Sequence, residues 1–133
     1  MNPGLRSSLV VVAALAALAA LSPVALVGCS SSSTQSAEAA AQVASGAVLI
    51  DVRTPEEFAG GHLDGALNID VQSADFDARI TELDPAGTYL IYCRSGNRSA
   101  AAIETMEGLG FTNLSDLGSL SEAADATGVA IVR

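Results

Sequence analysis

One short stretch places a thiol, two guanidinium groups and a glycine side by side: Cys93-Arg94-Ser95-Gly96-Asn97-Arg98-Ser99. It follows Thr88-Tyr89-Leu90-Ile91-Tyr92, a run of aromatic and β-branched residues that predicts a strand. It precedes a helix-forming run over residues 99–109, closed by Gly110. In an open parallel sheet the strand-to-helix junction lies at the carboxyl edge, where ligands bind. A short loop there curls so that successive amide N–H groups point inward as an anion nest. The following helix adds the positive end of its dipole and its unpaired N–H groups. Gly96 permits a left-handed turn, and Arg94 and Arg98 bring forked donors suited to oxyanions. A free thiol titrates near about 8.5, and such surroundings lower that value. Cys93 is therefore expected to be substantially thiolate at neutral pH. Ser95, Asn97 and Ser99 complete the candidate binding loop.

The flanking elements must position that loop. Residues 37–44 hold strong helix formers and stop at Ser45-Gly46. Residues 47–52 form a continuous apolar run that reads as a buried parallel strand. It ends in Asp51-Val52-Arg53, two charged residues on the same edge as the loop. Thr54-Pro55-Glu56-Glu57 reads as a helix start, with Thr at the N-cap, Pro first and acids in the first turn. Gly60-Gly61 ends that helix, and Ala66-Leu67-Asn68-Ile69 predicts a short strand. Residues 70–83 are amphipathic, with Val71, Phe76, Ile80 and Leu83 apolar, and predict a helix before the turn Asp84-Pro85-Ala86-Gly87. A strand over 112–117, a helix over 120–127 and an edge strand over 129–132 complete the pattern. Strands alternating with helices predict an α/β single domain: a small parallel β-sheet of about five strands with helices on both faces. There are no internal repeats.

The first residues read as targeting rather than fold. Arg6 precedes an almost wholly apolar run over residues 9–27 that ends in Leu26-Val27-Gly28-Cys29. This resembles a bacterial lipobox, in which the Cys thiol takes a diacylglycerol thioether and becomes the first residue after cleavage. An uncleaved transmembrane anchor is the alternative, since about 17–25 apolar residues span a bilayer. The expected division is a signal peptide over residues 1–28, a flexible Ser-rich tether over 29–36 and the domain over 37–133. Both readings place the domain outside the cytoplasm on a bacterial membrane, at the cell surface or in the periplasm. If lipid consumes Cys29, Cys93 stands alone in an oxidising compartment. Such a thiol is either a buried inert residue or a working nucleophile.

Charge and composition narrow the partners. Across 133 residues the formal net charge is −9, with six basic residues, all Arg. Nucleic-acid binding needs a basic face that displaces counterions, and a polybasic membrane surface needs clustered cations; the chain offers neither. Half the residues are hydrophobic but only 4% aromatic, so the core must come from Leu, Ile, Val and Ala. Two Cys exclude a disulfide scaffold. His62, the single His, leaves no imidazole cluster for a metal and reads as a hydrogen-bonded structural residue rather than a general base.

The loop Cys93-Arg94-Ser95-Gly96-Asn97-Arg98-Ser99 resembles the active-site loop of single-domain rhodaneses, the thiosulfate sulfurtransferase family. Asp51-Val52-Arg53-Thr54-Pro55-Glu56-Glu57-Phe58 and Gly61-His62-Leu63-Asp64-Gly65-Ala66-Leu67-Asn68-Ile69 resemble that family's other signature. The resemblance spans residues 38–133. It implies that the Cys93 thiolate takes the outer sulfur of an anionic donor such as thiosulfate, and that a thiol or cyanide then removes it from a Cys93 persulfide. No cofactor is implied. Arg94 and Arg98 are expected to hold the donor, with Asp51 and Arg53 in support. Asp51 pairs either with an active-site Arg or in a purely structural ion pair.

The run from Cys93 to Arg98 is one residue shorter than the loop of related phosphatases, which leaves room for a sulfur atom rather than a phosphoryl group. A phosphatase or arsenate reductase is the lesser alternative. A persulfide carrier that relays sulfur for a partner protein needs the same reactive Cys93. Gly118-Ser119 stands where the family often has Gly-Gly, and Ala123 and Ala124 where it has a Trp.

Overall fold

The computed structural model describes residues 31–133. The apolar leader and Cys29 lie outside the described residues. The elements in order are α1 (Ser31–Ala44), β1 (Val48–Asp51), α2 (Pro55–Ala59), β2 (His62–Leu63), β3 (Leu67–Asn68), α3 (Phe76–Ile80), β4 (Thr88–Cys93), α4 (Asn97–Gly108), β5 (Asn113–Ser119), α5 (Leu120–Thr127) and β6 (Ile131–Val132).

Four strands form the main sheet in the order β3-β1-β4-β5, and every pairing is parallel. Side chains alternate across it with the strand period of two. Ile50, Val52, Tyr89, Ile91 and Cys93 face one core with Phe76 and Ile80 of α3 and Ala102 and Met106 of α4. Leu49, Leu90 and Tyr92 face the other with Ala123 of α5 and Val43 of α1. Helices therefore cover both faces, as the alternating pattern predicts. Strand order reverses between β1 and β4, so the loops after these two strands open on the same crevice, the usual ligand position in such sheets.

The sheet has four strands rather than about five. The last strand does not extend it: Val132 and Ile131 pair antiparallel with His62 and Leu63 in a separate two-stranded ribbon. Pairing over two residues is set by tertiary contact, which leaves no periodic trace in sequence. The amphipathic stretch 70–83 is helical only over Phe76–Ile80. Asp70 Oδ1 accepts the Gln72 amide at 2.9 Å and Ser73 Oγ accepts the Asp75 amide at 3.2 Å. These local bonds offer the backbone an alternative to the helix ladder. Phe76 and Ile80, the apolar positions inside the helix, are both buried.

At the other end, α1 begins at Ser31 rather than at residue 37, so residues 31–36 of the expected tether are helical. Once the Ala-rich turn that follows is formed, adding a residue is far cheaper than nucleating one. The helix packs against α5 and buries Ala39.

Candidate active site

β4 carries Cys93 to the carboxyl edge, and α4 starts four residues later at Asn97. Between them Gly96 takes φ +90°, a left-handed backbone that a Cβ disfavours. This turn aims the Gly96 amide at Cys93 Sγ, 3.0 Å away. Burial of the thiol opposes its ionisation and is the largest single influence. The amides of Ser95, Ser99 and Gly96, with the Ser99 hydroxyl, together outweigh it and hold the thiol below its ordinary value. Cys93 is fully buried and belongs to the α3 and α4 side of the core. It is thus a buried side chain whose sulfur accepts a loop amide, that of Gly96.

The residues expected to hold a donor divide. Arg94 and Ser95 are exposed at the rim of the loop. Arg94 lines an open cleft of about 480 Å³ with Arg53, Glu57, Leu120, Ile131 and Arg133. Asn97 is exposed on the first turn of α4, and Ser99 is fully buried behind it. Arg98, expected to clamp a donor, instead gives both terminal nitrogens to Glu57, at 2.7 and 2.9 Å. The Arg98 guanidinium holds the Glu57 carboxyl down to about 2, against burial. Glu57 also closes the capping box of α2 by accepting the Thr54 amide, while Thr54 Oγ1 accepts the Glu57 amide. Arg98 therefore ties the loop to α2. Its charge still acts on the Cys93 sulfur.

Asp51 and Arg53 form a buried structural pair, the second of the two expectations for Asp51. Arg53 Nη2 lies 2.6 Å from Asp51 Oδ2 and donates to the Gly61 carbonyl at 2.7 Å. Arg53 also bonds Asp51 Oδ1 through its amide and Nε. The pair joins the end of β1 to the turn before β2. The His62 Nδ1–H donates to the Phe58 carbonyl at 2.9 Å, and the ring stacks on Phe58 with centroids 3.6 Å apart. His62 is thus hydrogen-bonded and stacked within the turn between α2 and β2.

Glu57 and Asp116 were not among the sequence-predicted site residues. Asp116 Oδ1 accepts the Ser99 hydroxyl at 2.7 Å and the Gly118 amide at 2.8 Å. Glu57 could have been found, because the capping-box position fixes its direction. Asp116 lies in a strand whose sequence gives no sign of which side chain turns toward the loop.

The family described as "Rhodanese-like domain" matches residues 29–124. The chain belongs to the rhodanese-like domain family. It is 40% identical over 72 residues to the thiosulfate sulfurtransferase GlpE of Pseudomonas entomophila, covering 53% of this chain and 63% of that relative. It is 32% identical over 75 residues to the thiosulfate sulfurtransferase PspE of Escherichia coli, covering 56% of this chain and 72% of that one. An Escherichia coli structure described as a rhodanese with anions superposes with a TM-score of 0.55 at 29% identity, over 65% of this chain and 96% of the other. A rhodanese-related protein of Thermoplasma volcanium gives 0.60 at 27% identity, over 73% and 93%.

Within this rhodanese-like domain, the departure at Ser119 has a local cause. Ser119 is the N-cap of α5: its oxygen accepts the Glu122 amide, and the Glu122 carboxylate accepts the Ser119 amide at 2.8 Å. A Gly there would lose that cap. Gly118, just before it, has φ +73°, and a Cβ would fall 2.6 Å from Glu122 Oε2.

Proposed function

We propose that this rhodanese-like domain is a sulfurtransferase that moves a sulfane sulfur from an anionic donor such as thiosulfate to a thiol or cyanide through a Cys93 persulfide. The observation that carries the reading is the Gly96 N–H aimed at Cys93 Sγ from 3.0 Å, with the Ser95 and Ser99 amides also favouring the thiolate. The thiolate attacks the outer sulfur of thiosulfate. A new S–S bond forms, the donor's S–S bond breaks, and sulfite leaves with its electron pair. Charge passes to the terminal sulfur, where inward amides stabilise it; this is covalent catalysis with an electrostatic cradle. An acceptor nucleophile then attacks that sulfur, and Cys93 leaves as thiolate. Cyanide yields thiocyanate by this route, and a thiol yields a new persulfide.

In this reading Arg94, exposed at the cleft beside the loop, draws in the donor, which is supported by Arg98 giving both terminal nitrogens to Glu57. Purified domain incubated with thiosulfate and cyanide is expected to form thiocyanate, and Cys93→Ser to form none. Sulfur loading on Cys93 with no thiocyanate would instead identify a carrier that hands sulfur to a partner relay protein. Release of phosphate from a phosphomonoester, abolished by Cys93→Ser, would favour the phosphatase alternative.

From the lipobox-like run Leu26-Val27-Gly28-Cys29 we further propose that this activity sits on an extracytoplasmic bacterial membrane surface, anchored through Cys29. The mass of the exported protein tests that placement: a diacylglyceryl Cys29 as first residue supports it, and an intact unmodified leader contradicts it.

A further inference from the structure

The Ser-rich segment expected as a loose tether is the start of α1. Helix therefore reaches back to Ser31, two residues from Cys29. The direction of α1 decides which end of the domain the anchor meets.

α1 ends at Ala44, and three residues separate it from Val48, where β1 begins. The turn is tight, with the Ala47 amide donating to the Gln42 carbonyl at 2.9 Å. The last turn of α1 thus lies at the amino edge of the sheet. The 14 residues of α1 rise about 21 Å, and the six of β4 about 20 Å. α1 packs against α5 and shares its face of the core through Val43, so it runs the height of the sheet and starts at the carboxyl edge. The residues at that edge agree. Gln35 and Ser36 of α1 line one cleft with Leu117 and Gly118 at the end of β5. A Cβ on Gly96 would meet Gly118 Cα at 3.7 Å, and Ser119, the next residue, pairs with Cys93. The first turns of α1 and the thiol loop share one end of the molecule.

Covalent geometry bounds the distance from the anchor. Six residues lead from Cys29 to Gln35; that many rise about 9 Å as helix and about 20 Å at full extension. A folded domain of about 100 residues has a radius of gyration of about 13 Å, and is wider than that gap. Thiosulfate and other small ions pass beneath the loop freely.

We propose that the Cys93 loop faces the bilayer that holds Cys29, and that the acceptor of its sulfur is a thiol carried on that membrane surface. The proposal rests on both the sulfurtransferase reading and the Cys29 anchor. The acceptor thiolate attacks the outer sulfur of the Cys93 persulfide, a new S–S bond forms, and Cys93 leaves with its electron pair as thiolate. Confinement of both thiols to one surface raises their effective concentration, while the bilayer shuts out bulky soluble partners.

The test uses the lipid-bearing protein in phosphatidylcholine vesicles, with the Cys29 modification read by mass. The chain has no Trp, so a single Trp is a clean reporter. Ser121→Trp puts one on the exposed first turn of α5, at the loop's end, and Leu109→Trp puts one just after α4, at the opposite edge. Lipids with a nitroxide headgroup are expected to remove more fluorescence from the Ser121→Trp protein. Equal quenching, or stronger quenching of Leu109→Trp, would overturn the proposal.

A second arm needs no substitution. Vesicle-bound protein treated with thiosulfate is offered phosphatidylthioethanol in the same leaflet, or a soluble protein with one exposed Cys. The added sulfur is expected to pass to the lipid thiol and to resist the soluble one. A Gly-Ser linker inserted between Ser30 and Ser31 should open the loop to the soluble thiol and level the two Trp signals. Discharge by the soluble protein as fast with the short link as with the long one would overturn the proposal. No sulfur gained from thiosulfate would sink the sulfurtransferase reading and the acceptor with it, while the Trp arm still decides the orientation. An unmodified Cys29 would remove the anchor and the orientation with it, so the failures are distinguishable.

Discussion

Arg98 meets Glu57 in two parallel contacts of 2.7 and 2.9 Å, and so fastens the first turn of α4 to α2. The pair couples two signatures that lie far apart in sequence: the thiol loop and the Thr54-Pro55-Glu56-Glu57 helix start. A forked guanidinium suits such bidentate contact, which fixes direction as well as distance. The geometry makes Arg98 a strut for the loop.

Replacing Glu57 by Gln should therefore loosen the loop more than it harms the fold. The pair is partly exposed, so the stability cost should be about 1 kcal/mol or less. The catalytic cost should appear in thiocyanate turnover, because the Gly96 amide depends on where α4 begins. Urea unfolding and steady-state rates on the same preparation separate the two. Wild-type turnover in a folded variant would contradict the strut.

Acid should release the same contact. The Glu57 carboxyl is held down to about 2 in the fold, below its ordinary value of 4.5, chiefly by Arg98. A group depressed in this way contributes its full stabilisation above the unfolded value and loses it as pH falls through the folded one. The thermal midpoint should accordingly fall between about pH 4.5 and pH 2, and fall less in Glu57→Gln. An identical acid slope in wild type and variant would show that other carboxylates carry the transition.

Breaking the buried pair should cost more. Asp51 is fully buried and takes its side-chain partners from Arg53. Arg53→Met leaves that carboxylate uncompensated, a loss of about 3–5 kcal/mol for a buried ion pair. Chemical denaturation gives the number directly, and a loss below about 1 kcal/mol would mean that the pair behaves as an exposed one.

Gly96 carries both conformation and chemistry. At φ +90° an added Cβ is strained, by roughly 1–2 kcal/mol on steric grounds. Relief of that strain would carry the Gly96 amide off Cys93 Sγ. Gly96→Ala should thus raise the pH midpoint of Cys93 alkylation and slow thiocyanate formation together. A destabilised variant with an unmoved midpoint would remove Gly96 from the ionisation of the thiol.

Much of this arrangement was legible in the sequence, and the reasons are local. Thr54 and Pro55 fix a helix start by capping and by ring geometry, and α2 begins there. The aromatic and β-branched run Thr88 to Tyr92 predicts a strand, and β4 forms there, inside the sheet. The loop's nest followed from where Cys93 lies between strand and helix. What escaped was set by distant partners. The direction of Arg98 depends on Glu57, the turn of Asp116 depends on a bulge opposite β4, and β2 exists because β6 lies beside it. The helix expected over 70–83 shrank because Asp70 and Ser73 satisfy nearby amides themselves.

The most direct test is the intact mass of the purified domain before and after brief exposure to thiosulfate. A gain of one sulfur atom on Cys93 is expected, removed by cyanide with release of thiocyanate and absent in Cys93→Ser. A mass unchanged by thiosulfate, or a gain that survives the Ser substitution, would contradict it.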